Sequence, residues 1–195
     1  PGRYDVPYGI HGYLGAAYIY SRQPQRAAEW ARTQLARDPD IRVIASTLLV
    51  FGTAGRADDA TDVAGGLIAD AEATGNPWIL ALALLAYGTA FRDAAPDKAL
   101  AALPRGLADA QDSGNRYSES DLALSLCRLE AKCGDPLAAL DNFTVAIGNY
   151  HDSGAGTSVR NPLVFLATFL DRLGHYEPAA VIAGFATRPP TAGRT

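Results

Sequence analysis

The chain has 195 residues, a net charge of −4 and a pI of about 5.3, with 48% hydrophobic and 19% charged residues. That balance suits a packed domain or a short array and argues against disorder. An acidic chain without runs of like charge makes a poor nucleic-acid binder by bulk field and carries no polybasic membrane patch.

Apolar residues recur at spacings of three and four, so helix after helix is expected. The first runs from Tyr8 to Ser21 and the next from Gln23 to Arg37, with Pro24 in its first turn. Asp38-Pro39-Asp40 breaks the pattern, and Ile41 to Thr53 comes after it. Asp58 to Ala73 reads as one helix, its interior Gly65-Gly66 demanded by close packing. Asn76-Pro77 then opens an almost wholly apolar helix ending near Arg92. Asp97 to Asp112 contains Pro104, which should kink it. Ser118 to Lys132 and Pro136 to Tyr150 come next. Asn161-Pro162 repeats the Asn-Pro opening for a helix to Leu173, and Pro178 to Ala186 forms the last. Strand signals and hairpin turns are missing.

A period runs through this series. Gly75, Gly114 and Gly154 each close a short polar run at spacings of 39 and 40 residues. Pro96, Pro136 and the Gly134 and Gly174 breaks keep the same register. A period near 40 with two breaks per unit is expected of stacked helix pairs. The expected fold is all-α, an α-α superhelix or tetratricopeptide-like solenoid of about five helix pairs. It should occupy residues 8–187, between irregular tails at 1–7 and 188–195. Ala139-x3-Phe143-x2-Ala146 matches the small-large-small spacing of a tetratricopeptide second helix, although the units exceed the roughly 34 residues of that repeat.

Chemistry-bearing motifs are scarce. There is no phosphate-binding Gly-x4-Gly-Lys-Ser/Thr loop and no Gly-x-Ser-x-Gly elbow. Gly154-Ala155-Gly156 follows a helix rather than a strand, so it is no dinucleotide fingerprint. Gly9, Gly12 and Gly15 suit a helix contact. His11, His151 and His175 fall on different units without ligand spacing, and His151 sits where a cation suits a helix C-terminus. Cys127 and Cys133 lie about 240° apart around one helix, read as two buried reduced thiols. Acidic residues, Asp58-Asp59 among them, read as solvated surface. No catalytic residue, metal site or cofactor is expected. Trp30, Trp78, Tyr87 and Tyr117 are aromatic groove candidates.

Several segments together carry a resemblance: Gly75-Asn-Pro-Trp78, Leu84-Leu-Ala-Tyr-Gly88, Phe91-Arg-Asp93, Arg105-Gly-Leu107 and Asp112-Ser-Gly-Asn-Arg116. Further on come Asn149-Tyr-His-Asp-Ser-Gly154, Phe169-Leu-Asp-Arg-Leu-Gly174, Tyr176-Glu-Pro-Ala-Ala180 and Ile182-Ala-Gly-Phe-Ala186. This resembles the C-terminal helical-repeat region of large actinobacterial LuxR-type transcriptional regulators. Their parent proteins combine a P-loop ATPase with helical repeats, often a helix-turn-helix, and in some cases an N-terminal class III adenylate cyclase domain. The match covers residues 75–186; residues 8–74 fit only the architecture.

The resemblance implies a non-catalytic module that binds a protein partner, other domains of the same polypeptide or a small-molecule inducer. The acidic charge, the lack of an apolar stretch of about 20 residues and the lack of a secretory leader give the expectation of a cytoplasmic chain without direct nucleic-acid or membrane contact. Neither the cyclase's metal-binding aspartates nor the ATPase loop has a counterpart here. First helices line the groove in tetratricopeptide arrays, which nominates Arg42, Trp78, Tyr87, Arg92, Arg128 and Asn161. A free-standing tetratricopeptide-like scaffold or adaptor is the alternative, and a cyclase would require strands that the pattern lacks. The absence of Met and the irregular ends suit a piece of a longer protein, although removal of an initiator before Pro1 would leave the same start.

Overall fold

The computed structural model describes residues 9–154 and 158–187, with side chains from residue 12 onward. The fold is all-α. Eleven helices and no strand occur among the described residues: α1 (Gly9–Tyr20), α2 (Pro24–Arg37), α3 (Ile41–Thr53), α4 (Ala57–Val63), α5 (Leu67–Ala73), α6 (Pro77–Phe91), α7 (Pro96–Asp112), α8 (Arg116–Cys133), α9 (Pro136–Asp152), α10 (Arg160–Arg172) and α11 (Tyr176–Thr187). The expected tails at 1–7 and 188–195 lie outside the described residues. Two compact units divide within the first turn of α8, at Ser118 and Glu119.

In the first unit, α3 and α6 form the centre. Leu48 and Phe51 of α3 and Leu82, Ala83 and Ala86 of α6 bury together with Ala27, Ala28 and Ala31 of α2 and Leu67 and Ala71 of α5. Burying a side chain the size of Phe51 contributes about 1.5–3 kcal/mol. The abundance of Ala in this cluster lets helices approach closely. At Gly52 the approach is backbone to backbone: a Cβ there would stand 2.6 Å from Ala90 Cα and 2.8 Å from Ala90 N. Gly88 instead makes room for a side chain of the next helix: a Cβ there would lie 2.4 Å from Leu103 Cδ2 and Cγ. Gly15, one of the three spaced glycines, faces Val50 Cγ2 at 2.5 Å for an added Cβ.

The single helix expected over 58–73 is two helices. The break falls at Ala64–Gly66, where Gly66 is left-handed at φ 77° and precedes α5. The glycines are therefore not packing sites. An added Cβ at Gly65 meets nothing within 4 Å, and one at Gly66 meets only Asp70 Oδ2 at 3.5 Å. A left-handed residue, not a close neighbour, is what the chain needs there. α4 and α5 together link α3 to α6, which meet near their C-terminal ends. α7 continues through Pro104, whose ring is exposed, on the solvated side where a missing backbone donor is least costly.

The second unit centres on Cys127 of α8, Ala139 and Phe143 of α9 and Phe169 of α10. The rings of Phe143 and Phe169 stand 6.0 Å apart. Tyr150 of α9 donates a hydrogen bond to Asp121 Oδ1 of α8. Cys127 is buried, but Cys133 is exposed at the end of α8, against the expectation of two buried thiols. Its thiol turns back onto its own helix, Sγ donating to Leu129 O at 3.3 Å. α10 opens at Arg160, with Val159 rather than Asn161 at its cap, so the Asn-Pro opening of α6 is not repeated.

The 40-residue register is visible in burial. Ala99, Leu103 and Gly106 of α7 are buried, as are Ala139, Phe143 and Ala146 of α9. Ala179 and Ala186 of α11 are buried at the corresponding places, with Ala183 half-buried between them.

The α4–α5 break gives a direct test. Replacing Gly66 by Ala places a Cβ in the left-handed region and should cost about 1–2 kcal/mol. Gly65→Ala should change thermal stability by less than about 0.5 kcal/mol. Equal losses at both positions in thermal melts would contradict this assignment.

Candidate interaction surface

The starts of α3, α6 and α8, all at or before Ser118, are built in the same way. Asp40 Oδ1 accepts from Arg42 N at 2.9 Å at the start of α3. Asn76 Oδ1 accepts from Trp78 N at 2.9 Å at the start of α6. Asn115 opens α8 reciprocally: its Oδ1 accepts from Ser118 N at 3.1 Å, and its Nδ2 donates to Ser118 Oγ at 2.7 Å. Short polar side chains favour this position because they satisfy amide donors the helix leaves unpaired. The cap also fixes the direction of the first helical side chains. Two residues after each cap stands Arg42, Trp78 or Tyr117, and all three side chains are exposed.

Arg42 is held by its own cap, Nε donating to Asp40 Oδ1 at 3.0 Å. Burial of the Asp40 carboxyl opposes ionisation. The Arg42 backbone and side-chain bonds and the Arg42 charge outweigh it, so Asp40 titrates below the ordinary carboxylate value. Trp78 presents its indole at 51% exposure, unusual for so large an apolar group. The hydroxyls of Tyr117 and Tyr13 of α1 stand 3.5 Å apart. Arg42 and Trp78 each stand in the first turn of a helix whose C-terminal part meets the other's at Gly52 and Ala90. Tyr117 takes the equivalent place on α8.

The remaining sequence candidates fall elsewhere. Tyr87 is half-buried in α6 with its ring 4.7 Å from that of Phe91. Arg92, at the end of α6, is only 5% exposed, with Nη2 3.5 Å from Asp93 Oδ2 and no hydrogen-bond partner for Nη1 among the described residues. Arg128 of α8 lies over the Phe165 ring at 4.2 Å in the second unit. Asn161 is exposed in the first turn of α10, and Trp30 is half-buried in α2.

Among the acidic residues expected on solvated surface, Glu72 of α5 bonds Arg105 of α7 at 2.6 Å, and Asp59 forms a two-arginine clasp. Asp59 of α4 bonds Arg32 of α2 at 2.6 Å and Arg56 at 2.7 Å, while Arg32 also lies 5.4 Å from the Phe51 ring centre. Spacing could not reveal this, since Arg32 and Asp59 meet only through the fold. His151 does occupy the last turn of α9, as expected for a cation at a helix C-terminus. The His11 side chain lies outside the described residues. Among the described residues no group of three or more His, Cys, Asp and Glu converges, and no helix is long and apolar enough to cross a membrane.

Comparison with protein-family models, curated proteins and solved structures finds no match. The surface therefore has to be read from its own chemistry. It offers an indole, a phenol and a guanidinium beside helix N-termini, the residue types most enriched where binding energy concentrates.

The clasp makes an acid-stability prediction. The Arg32 bond, opposed by desolvation and helped by the Arg56 bond and both charges, holds Asp59 below the ordinary value of 3.8. A depressed folded-state value means stability that is present above that pH and lost as pH falls through the folded-state value. Asp59→Asn should lower stability at neutral pH and flatten the decline below about pH 4. An unchanged acid limb in melts of the variant would remove Asp59 from that role.

Proposed function

We propose that this chain is a tetratricopeptide-like α-solenoid of about five helix pairs that serves as a non-catalytic binding module. Its parent would be a multidomain signal-transduction ATPase of the LuxR-type regulator class, in which an adenylate cyclase domain occurs in some members. The solenoid reading is supported by the matched burial of α7, α9 and α11 at 40-residue spacing. One observation carries the binding reading: the exposed display of Arg42, Trp78 and Tyr117 at equivalent capped positions. Flexible catalytic groups are not what that arrangement favours. It favours rigid aromatic area with few rotatable bonds, which loses little entropy when covered.

The occupant we propose is protein: another domain of the same polypeptide or a separate partner, working in the cytoplasm. The regulatory assignment rests on the resemblance of residues 75–186 to the helical-repeat region of such regulators.

Isothermal titration of the chain with the ATPase domain of its parent tests the reading. Trp78→Ala should weaken binding by about 2 kcal/mol or more, roughly thirtyfold, with Arg42→Ala weakening it less. Both variants should melt within about 0.5 kcal/mol of the original, because both side chains are exposed. A reading frame without an ATPase would favour the free-standing adaptor. Binding that ignores Trp78 would reject the surface.

A further inference from the structure

Arg92 caps the C-terminal end of α6, and only 5% of it is exposed. A guanidinium carries five N–H donors and keeps its charge throughout the range in which proteins fold. Among the described residues it has a single polar contact, Nη2 standing 3.5 Å from Asp93 Oδ2. That approach is long for a charged pair, and the Asp93 side chain is itself 63% exposed. Nη1 is enclosed without an acceptor. The carbonyl end of α6 attracts the charge, yet no carbonyl accepts from Nη1. Gln34 Nε2 is enclosed without a partner as well, but a neutral amide costs far less to bury than a charge that cannot be given up. A second cation stands at the same helix junction. Lys98 of α7 holds Nζ 4.8 Å over the ring of Phe91, the residue before Arg92.

We propose that Arg92 recognises a small oxyanion, a carboxylate or phosphate group, at the α6–α7 junction, and that the oxyanion displaces Asp93. Two oxygens of such a group match the planar guanidinium fork and supply Nη1 and Nη2 with the acceptors they lack. Asp93 is the internal stand-in: a carboxylate held to the fork by one long contact and open to solvent on its other side. Lys98 adds attraction for the same charge. So small an opening admits the terminal oxyanion of a small molecule rather than a broad surface. This site is independent of Trp78 and of the binding reading above.

Thermal melts of the whole chain in sodium phosphate and in sodium acetate, each compared with sodium chloride at equal ionic strength, test the site. At least one oxyanion should raise the melting temperature by about 2–4 °C more than chloride does. A shift with phosphate alone marks a phosphate ligand, and one with acetate alone a carboxylate. In Arg92→Met the excess should vanish. In chloride that variant should melt no lower than the original, because it removes a buried charge and leaves behind only an exposed carboxylate. Asp93→Asn, a change at an exposed side chain, should enlarge the shift by removing the internal competitor. Equal melts in oxyanion and chloride would overturn the proposal. So would an undiminished excess in Arg92→Met, the mark of a general salt effect. A lower melt for Arg92→Met in chloride would make Arg92 structural, and an Asp93→Asn variant with no larger shift would remove the competition; either result rejects the site.

Discussion

The contact between Gly52 and Ala90 sets the geometry of the first unit. Two helices touching through backbone lie closer than any pair separated by side chains, and that distance lets Leu48, Phe51, Leu82 and Ala86 bury in one cluster. A helical glycine costs about 1 kcal/mol relative to alanine, so its presence near the end of α3 runs against local preference. Packing at near-crystalline density offsets that cost, since a single added carbon has no free volume to enter. Gly88 makes room for the Leu103 side chain of the next helix. Both sites tie α6 down on two sides, which accounts for its almost continuous burial from Ala81 to Phe91.

The Asx caps at Asp40 and Asn76 start α3 and α6 and leave Arg42 and Trp78 exposed in their first turns, and Asn115 does so for Tyr117. Local hydrogen bonding and long-range packing thus answer different questions. The cap sets where each helix begins and which side chain its first turn displays, and the glycine contact sets how closely α3 and α6 approach.

Helices with long apolar periodicity were legible without structure: α3 over Ile41–Thr53 is as the spacing requires, and the 40-residue register survives in the burial of Ala99, Ala139 and Ala179. Features hidden from sequence depended on backbone sign or on tertiary meeting. Gly65-Gly66 looks the same whether a helix tolerates it for packing or ends at it, and only the positive φ of Gly66 separates the two. Asn161 has the composition of a cap, but its N–H bonds Ser158 O and the helix begins one residue earlier. Among the site candidates, the exposure of Arg42 and Trp78 beside their caps was legible because those caps are local. The burial of Arg92 and the stacking of Arg128 on Phe165 were not, since both depend on neighbours distant in sequence.

The backbone contact is open to a decisive substitution. Gly52→Ala, paired with Gly148→Ala in α9 where an added Cβ meets nothing within 4 Å, isolates packing from helix propensity. Both changes should gain up to about 1 kcal/mol from propensity alone. If the α3–α6 contact governs the unit, Gly52→Ala instead loses about 1–3 kcal/mol through overlap, lowering the melting temperature by several degrees, while Gly148→Ala raises it. A Gly52→Ala protein as stable as its Gly148→Ala counterpart would contradict the account.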